Sequence, residues 1–205
     1  MTTAAEASRL SSTVRLLVTL VDDRQPGYAA HAHAAARLTR MVGLQLGLDG
    51  RDLEHLRLAA LLHDAGSLRL PFPHAGSRWR LSAEERRIWE THPTSGGRMV
   101  RMLELPAEVE RAVAGHHERW DGTGYPLGLS GGGIPLHARI LAVCDAYDEA
   151  RAGQLEVDHE RLTEEEALQR LQCDESHRFD QLVVRALCDA LGEEREIGAL
   201  TGLFA

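Results

Sequence analysis

The residues best suited to chemistry in this chain are histidines and aspartates near the ends of predicted helices. The sequence contains eleven histidines. Five of them, together with two aspartates, have a context that suggests ligation: His31, His63, Asp64, His92, His116, His117 and Asp145. Most of these positions lie beside glycine or proline or at a helix end, where a side chain can point into a cavity between helices. Imidazole and carboxylate groups are ligands for iron, manganese, zinc or nickel.

The adjacent pair His63 and Asp64 carries the most information within this set. The apolar lead-in of AALLHDAG would bury the Asp64 carboxylate, which is costly without a metal or another cation. The two oxygens of a carboxylate can bind separate ions, and two ions about 3.5–4 Å apart favour displacement at phosphorus. Residue chemistry alone leaves a ligand role and a hydrogen-bonded core role open for the pair. For His31 or His92 taken alone, it favours the core role.

The composition excludes several classes of protein. Among the 205 residues, 31 are acidic and 23 are basic, a balance that argues against binding a nucleic-acid polymer or an anionic membrane. Three cysteines without CxxC spacing argue against a disulfide framework. The chain has neither a long apolar run nor a secretion signal, so we expect a cytoplasmic protein. The other histidines are predicted to be surface or packing residues: His33, His55, His74, His137, His159 and His177.

Apolar residues recur at helical spacing almost throughout, which predicts an all-α fold in a single domain spanning residues 1–205. Ser82 with Glu85 and Thr163 with Glu166 are capping-box patterns. Pro93 is predicted to interrupt the fourth helix just after His92. Residues 67–81 and the glycine-rich residues 121–133 are predicted loops. The predicted helices span residues 6–21, 29–46, 51–64, 82–92, 93–103, 106–119, 135–152, 163–171 and 180–191.

Three motifs together resemble a known family. They are AALLHDAG, the His92-Pro93 pair, and HHERWDGTGYPLGLSGGGIPLHARILAVCDAYD. The chain is similar over about residues 10–192 to the HD-GYP subgroup of the HD phosphohydrolase superfamily, and the run HHERWDGTGYP is highly specific. The resemblance implies an all-α domain with a dinuclear metal site between helices. It also implies hydrolysis of cyclic di-GMP or a related cyclic dinucleotide by a hydroxide that bridges the metals.

The resemblance also implies how the ligands are shared between two divalent ions. Asp64 would bridge them as the central catalytic residue. His31, His63 and Asp145 would bind one ion, and His92, His116 and His117 the other. Iron is the usual metal of the subgroup, and manganese comes next. Some relatives hold a third ion with a glutamate four residues before the first histidine, but Gly27 stands there, so we expect two ions.

The chain departs from the family pattern on the substrate side. Ser67 replaces a lysine that contacts a substrate phosphate, and Ala34 replaces an arginine. The family segment that supplies another basic residue has no recognisable counterpart in EARAGQLE, where Gln154 aligns with the arginine. Ser67, Arg69 and Tyr125 are the predicted substrate-binding residues. Arg69, Arg78 and Arg119 could replace the lost cations, although solvated arginines are the simpler interpretation.

The resemblance assigns the wall of the cleft to a loop that includes Asp121, Gly122, Gly124, Tyr125 and Pro126. Tyr125 could present its ring to a guanine base or simply pack within the loop. Asp121 could orient a ligand histidine or cap the loop. A signalling protein could also bind through this loop.

Three functions are compatible with the sequence. The first is a cyclic di-GMP phosphodiesterase with an altered pocket. The second is a metal-dependent hydrolase of another nucleotide or phosphomonoester. The third is a regulatory module that keeps the metals and binds a ligand or a signalling protein without turnover. The complete ligand set favours the first two, whereas the missing cations favour the second and third.

Overall fold

The structure is a computed structural model that describes residues 4–72, 81–153, 161–174 and 177–202. No residue in these ranges lies in a strand, so the all-α prediction is confirmed. The helices are α1 (Ala4–Arg24), α2 (Tyr28–Gln45), α3 (Gly50–Leu62), α4 (Ala83–Trp89), α5 (His92–Met102), α6 (Ala107–Gly115), α7 (Leu136–Ala152), α8 (Glu164–Gln172) and α9 (Gln181–Gly202). Short 3-10 helices lie at Ala65–Arg69 and Gly131–Gly133. The predictions for His74, Arg78, Gln154 and His159 fall outside the described residues.

Both predicted capping boxes form. Ser82 and Glu85 exchange side-chain and backbone hydrogen bonds at the start of α4, and Thr163 and Glu166 do the same at α8. The predicted break after His92 is wrong, because α4 ends at Trp89 and α5 begins at His92. Proline is tolerated in the first turn of a helix, where its missing N–H has no helical acceptor. His92 therefore opens a helix that continues through Pro93.

Other boundaries also differ from the predictions. The helix predicted to reach residue 119 ends at Gly115. The Gly115 carbonyl accepts from the amide of Glu118, three residues later, and the His117 carbonyl accepts from the amide of Tyr125, so neither continues the α-helical pattern. The predicted loop after Gly66 starts as a 3-10 helix that runs to Arg69. The last helix extends to Gly202, well past residue 191. None of the described helices is both long enough and apolar enough to cross a membrane.

The core consists of two apolar clusters that share three helices. Ala35 of α2 lies in one cluster, with side chains of α1, α3, α5 and α6. Leu38 of α2 lies in the other, with side chains of α8 and α9. Helices α3 and α7 likewise contribute to both clusters, with Leu141 in the first and Ile140 in the second. Helices α2, α3 and α7 are therefore the central layer of the molecule, and each carries or directly precedes a predicted ligand.

Gly66 allows the 3-10 helix to pack directly against α5. A Cβ atom at this position would overlap the carbonyl oxygen of His92 and the amide nitrogen of Gly96. Gly96 is similarly restricted, since its own Cβ would lie 2.9 Å from a methyl group of Val113. This close approach sets the distance between the end of α3 and the start of α5, so it brings Asp64 next to His92.

We predict that Gly66→Ala destabilises the fold by about 1–3 kcal/mol or more, because overpacking against backbone atoms cannot be relieved by a rotamer change. Gly50→Ala is the matched control, since a Cβ atom there meets nothing within 4 Å. This control should be neutral or slightly stabilising. Urea unfolding followed by circular dichroism measures both effects. Equal stability of the two variants would contradict the proposed close approach.

Candidate metal centre

Three predicted ligands from the central helices form the first ligand group. His31 lies on α2, His63 directly follows α3, and Asp145 lies on α7. The Nε2 atom of His31 is 3.0 Å from Asp145 Oδ1 and 3.3 Å from His63 Nε2. His63 Nε2 is 3.7 Å from the same Asp145 oxygen. These three ligand atoms surround one point and could hold one metal ion.

The second ligand group comes from the other side of the site. His92 opens α5, while His116 and His117 follow the end of α6. His92 Nε2 is 3.4 Å from His116 Nε2. The His117 ring lies against both, at centroid distances of 5.0 Å from His92 and 4.1 Å from His116. Together with Asp64, these three histidines form a second set of ligand atoms close enough for one ion.

The Asp64 carboxylate lies between the two ligand groups, with one oxygen directed to each. Its Oδ2 atom is 3.5 Å from His63 Nε2 in the first group. Its Oδ1 atom is 3.1 Å from His92 Nε2 and 3.7 Å from His116 Nε2 in the second. A carboxylate in this position can serve two ions at once. The structure thus brings together all seven predicted ligands, in the two sets that the family resemblance implies.

Hydrogen bonds on the far side of the rings orient the ligand histidines. The Nδ1 atoms of His63, His92 and His116 lie 2.7–2.8 Å from the backbone carbonyl three residues earlier. Because a carbonyl only accepts, each Nδ1 must carry the hydrogen, and Nε2 is the atom that faces the site to bind a proton or a cation. His31 Nδ1 lies 2.7 Å from the Asp148 carboxylate. Such outer contacts fix the tautomer and orientation of metal-binding histidines.

This arrangement fits a metal ion. Because each Nδ1 hydrogen is already donated, two Nε2 atoms that lie 3.3 or 3.4 Å apart need a proton or a cation between them. Two ligands bound at about 2.1 Å to one ion would be separated by about 3.0–3.4 Å, which matches these distances. His31, His63, Asp64, His92, His116 and Asp145 are all buried. Buried charged groups that converge in this way normally coordinate a metal or pair with one another.

The local charges keep both carboxylates ionised. Burial would raise the pKa of Asp64, but His63, His116 and His92 hold it well below its usual range. Burial also opposes ionisation of Asp145, yet the hydrogen bond from His31 and the charge of His63 lower its pKa to about 2. Burial lowers the pKa of His31, but the hydrogen bonds to Asp145 and Asp148 outweigh it and raise this pKa well above the ordinary value. A cation bound at the first ligand group would therefore displace a proton from His31.

The glycine-rich loop that follows His117 is anchored by a buried carboxylate. Glu118 is only 4% exposed and accepts hydrogen bonds from the amides of Leu127 and Leu129, at 2.7 and 2.9 Å. Gly124 packs so closely on this segment that a Cβ atom would lie 2.6 Å from the Glu118 Cα. The loop is therefore held against the residues that carry His116 and His117.

Two predicted loop residues have structural contacts. Asp121 accepts hydrogen bonds from the amide and hydroxyl of Thr123, at 2.8 and 2.6 Å, so it caps the loop. The Tyr125 ring packs on His117 at a centroid distance of 4.9 Å. Tyr125 also lines the cavity described below, so the residue both packs within the loop and faces the space where a ligand could bind.

A cavity of about 240 Å³ opens beside the site. His116, His117 and Asp145 form part of its wall, and four arginines of the described part of the chain also line it: Arg86, Arg119, Arg170 and Arg178. Of the predicted substrate-side residues, Tyr125 and Arg119 line this cavity. Ser67 is buried and its amide donates to the Asp64 carbonyl, while Arg69 is exposed at the end of the 3-10 helix. Neither Ser67 nor Arg69 is among the cavity-lining residues.

The histidines predicted to have no ligand role remain outside the two ligand groups wherever they are described. His33 and His177 are exposed. His55 is buried, and its ring packs against that of His137 at a centroid distance of 6.1 Å. The prediction of surface or packing positions is confirmed for these four residues.

The comparison with protein families agrees with this geometry. Residues 15–183 match the family model described as HD domain, which is most of the chain. The chain belongs to the HD domain family. Its resemblance to the HD-GYP subgroup is confirmed by a solved structure, that of the HDG"Y"P protein Bd1817 from Bdellovibrio bacteriovorus, which is 25% identical with a TM-score of 0.65 over 79% of this chain and 51% of that one.

Two curated relatives are similar over most of the HD domain. The cyclic di-GMP phosphodiesterase response regulator RpfG of Xanthomonas campestris is 32% identical over 87% of the chain and 47% of its own length. The cyclic di-GMP phosphodiesterase PA4108 of Pseudomonas aeruginosa is 34% identical over 91% of the chain and 45% of its own length. The chain therefore spans less than half the length of these relatives.

A solved structure supports the fold. The cyclic GMP-AMP specific phosphodiesterase V-cGAP3 of V. cholerae superposes with a TM-score of 0.71 at 22% identity, over 93% of this chain and 50% of that one. At this level of identity the likeness shows the fold alone. It agrees with the all-α architecture of the HD domain.

Several residues of the site were not found from the sequence. Asp148 contacts His31 across 117 residues of chain, although its place one helical turn after Asp145 is a usable signal. Glu118 directly follows the paired histidines, but nothing in the sequence indicated that it binds loop amides. Arg86 and Arg178 reach the cavity only through the packing of the HD domain, so no local pattern could reveal them.

We predict that Asp148→Ala weakens metal binding at the first ligand group about 10–100-fold, because His31 loses the carboxylate that orients it. Titration against a chelator of known affinity measures the effect. Asp189→Ala, which removes an exposed carboxylate of α9, is the control and should bind as the wild type does. Unchanged affinity in the Asp148 variant would refute its orienting role.

We also predict that Glu118→Ala loosens the glycine-rich loop. Two amides would lose their buried acceptor, at a cost of about 1–3 kcal/mol for an unsatisfied group. Hydrogen exchange at Leu127 and Leu129 should therefore become at least about tenfold faster. Glu165→Ala, an exposed change in the first turn of α8, is the control. If both variants exchange at the wild-type rate, Glu118 does not anchor the loop.

Proposed function

We propose that this HD domain is a metal-dependent phosphodiesterase that hydrolyses cyclic di-GMP or a related cyclic dinucleotide. The observation that carries the proposal is the position of Asp64, with one carboxylate oxygen directed to each ligand group. A dinuclear site of this kind suits displacement at phosphorus. The names of the two curated relatives, both cyclic di-GMP phosphodiesterases, support the same substrate class.

The proposed ligands follow the two groups. Asp64 would bridge the ions; His31, His63 and Asp145 would hold one, and His92, His116 and His117 the other. Five imidazoles and two carboxylates suit iron, manganese, zinc or nickel. The family resemblance favours iron and then manganese, and we propose that order. Gly27 offers no side chain for a third ion, so two are proposed.

When bound, the two ions would supply positive charge to a phosphodiester and lower the pKa of a water molecule to near neutrality. The residues of the chain contribute balancing charge, fixed orientation of the histidine rings and a wall of the cavity. Asp64 and Asp145 stay ionised, so they offset part of the charge of the ions. The Nδ1 hydrogen bonds hold the rings in place before substrate arrives, so no reorganisation is needed during the reaction. The loop held by Glu118 walls the cavity next to His117.

A role in binding a signalling protein is a second proposal for the same loop. Leu127 is 75% exposed, although the amide of the same residue is fixed by Glu118. A large apolar side chain presented to solvent on an anchored loop suits contact with another protein. This role is compatible with turnover and also with a module that only binds. The hydrolysis assay described below distinguishes an enzyme from a module that only binds its ligand.

We predict that Asp64→Ala removes both metals, whereas His117→Ala keeps the ion of the first ligand group. Loss of a bridging carboxylate leaves two positive charges facing each other, while water can replace one histidine at the partly exposed His117 position. Elemental analysis after anaerobic loading with iron or manganese measures the ion content of each variant. If Asp64→Ala retained both ions and His117→Ala lost both, Asp64 would not bridge.

The function itself is tested with the metal-loaded wild-type chain. The substrates are cyclic di-GMP, its linear dinucleotide, and bis(4-nitrophenyl) phosphate, a generic diester. We expect hydrolysis of cyclic di-GMP that a chelator abolishes. Hydrolysis of the generic diester alone would instead favour a hydrolase of another ester. Binding of cyclic di-GMP without any turnover would favour a regulatory module.

A further inference from the structure

The cavity beside the candidate metal ligands gathers arginines in an acidic protein. The chain has a formal net charge of −8, yet among the described residues Arg86, Arg119, Arg170 and Arg178 line this cavity. Glu90, Glu118, Asp145 and Glu149 line it as well, so the formal charges of the described lining balance. Two of these carboxylates already have partners, because Glu118 binds the loop amides and Asp145 faces His31. The arginine guanidinium has a planar fork of donors that matches phosphate.

Arg178 is held in place by two neighbouring side chains. Its Nε atom lies 3.0 Å from an oxygen of Asp174, whose side chain is only 3% exposed. Its guanidinium lies over the ring of Phe179, 5.3 Å from the centroid. The Nη groups are the remaining donors of the guanidinium. A side chain fixed in this way loses little conformational entropy when it binds an anion.

The backbone ties Arg178 to the segment that carries the ligand histidines. The Arg178 carbonyl accepts a hydrogen bond of 2.8 Å from the amide of Trp120, three residues after His117. Nearby, Arg139 pairs with the buried Asp180 at 2.6 Å and lies over the Trp120 ring. These contacts fix the position of Arg178 relative to the second ligand group, although 61 residues separate Arg178 from His117.

Part of the cavity wall is apolar. Ala142, Ala146 and Ala150 recur at four-residue spacing along α7, over about 12 Å. Phe179 lies on the Arg178 side of the same cavity. Small side chains leave room for a planar group, and a nucleobase is such a group. The cavity thus offers an anion site at the arginine, an apolar wall, and metal ligands.

We propose that Arg178 binds the phosphate of the cyclic dinucleotide that is not being cleaved, while the scissile phosphate lies at the two ligand groups. The inference rests on the proposed function. It explains how the chain can hold a second phosphate when the basic residues expected from the family are replaced by Ser67 and Ala34. Arg178 is then a specificity-determining residue that acts in substrate binding.

The test compares Arg178→Gln with Arg185→Gln, which removes an exposed arginine of α9 that does not line the cavity. The readout is the ratio of kcat/KM for cyclic di-GMP to kcat/KM for bis(4-nitrophenyl) phosphate, which lacks a second phosphate. Arg178→Gln should lower this ratio about 10–100-fold, the loss expected for one well-placed charge-assisted contact. Arg185→Gln should leave it unchanged, and Arg178→Lys, which keeps the charge without the fork, should lie between.

The outcomes separate this inference from the proposed function. An equal loss of activity on both substrates, or an unchanged ratio, would overturn the role of Arg178 while leaving the phosphodiesterase proposal standing. If the wild type hydrolyses neither substrate, the proposed function fails, and the dissociation constant of cyclic di-GMP decides the inference. Weaker binding by Arg178→Gln than by Arg185→Gln would then support it. Equal binding, or no binding by the wild type, would overturn it.

Discussion

The structure depends on one buried carboxylate that is shared between two sets of histidines. Asp64 is 8% exposed, and its two oxygens are directed to opposite sides. A buried anion is costly unless charged partners converge on it, and here they come from helices that are distant in sequence. His63 follows α3, His92 begins α5, and His116 follows α6. The end of α3, the start of α5 and the end of α6 are therefore constrained, because each boundary places a histidine next to Asp64.

The close contacts around Asp64 explain features that would otherwise look unrelated. Gly66 lets the 3-10 helix touch α5, and Gly124 lets the glycine-rich loop fold onto the segment that carries the paired histidines. Glu118 then binds two amides of that loop. The same segment that carries His116 and His117 thus also shapes the wall of the cavity.

Much of the fold could be predicted because helical periodicity and capping boxes are local signals. The seven residues that converge at the site could be named from the family resemblance, because the HD pair and the HHERWDGTGYP run are contiguous motifs; their role as ligands stays a prediction. The break at Pro93 was misplaced, because proline fits either a helix break or a first turn and the sequence does not separate them. Asp148 contacts His31 across 117 residues of chain. Arg178 lines the same cavity as His117, although 61 residues separate the two. Such contacts arise from tertiary packing, which one sequence does not encode locally.

We propose that the Asp64 carboxylate joins two metal positions, and anomalous diffraction from crystals of the chain loaded with iron or manganese would locate both ions. We expect two peaks about 3.5–4 Å apart, as in other two-metal sites. One peak should lie among His31, His63 and Asp145, the other among the second group of histidines, with an Asp64 oxygen bound at each. A single peak, or two peaks with Asp64 bound to only one of them, would show that Asp64 does not join two metal positions.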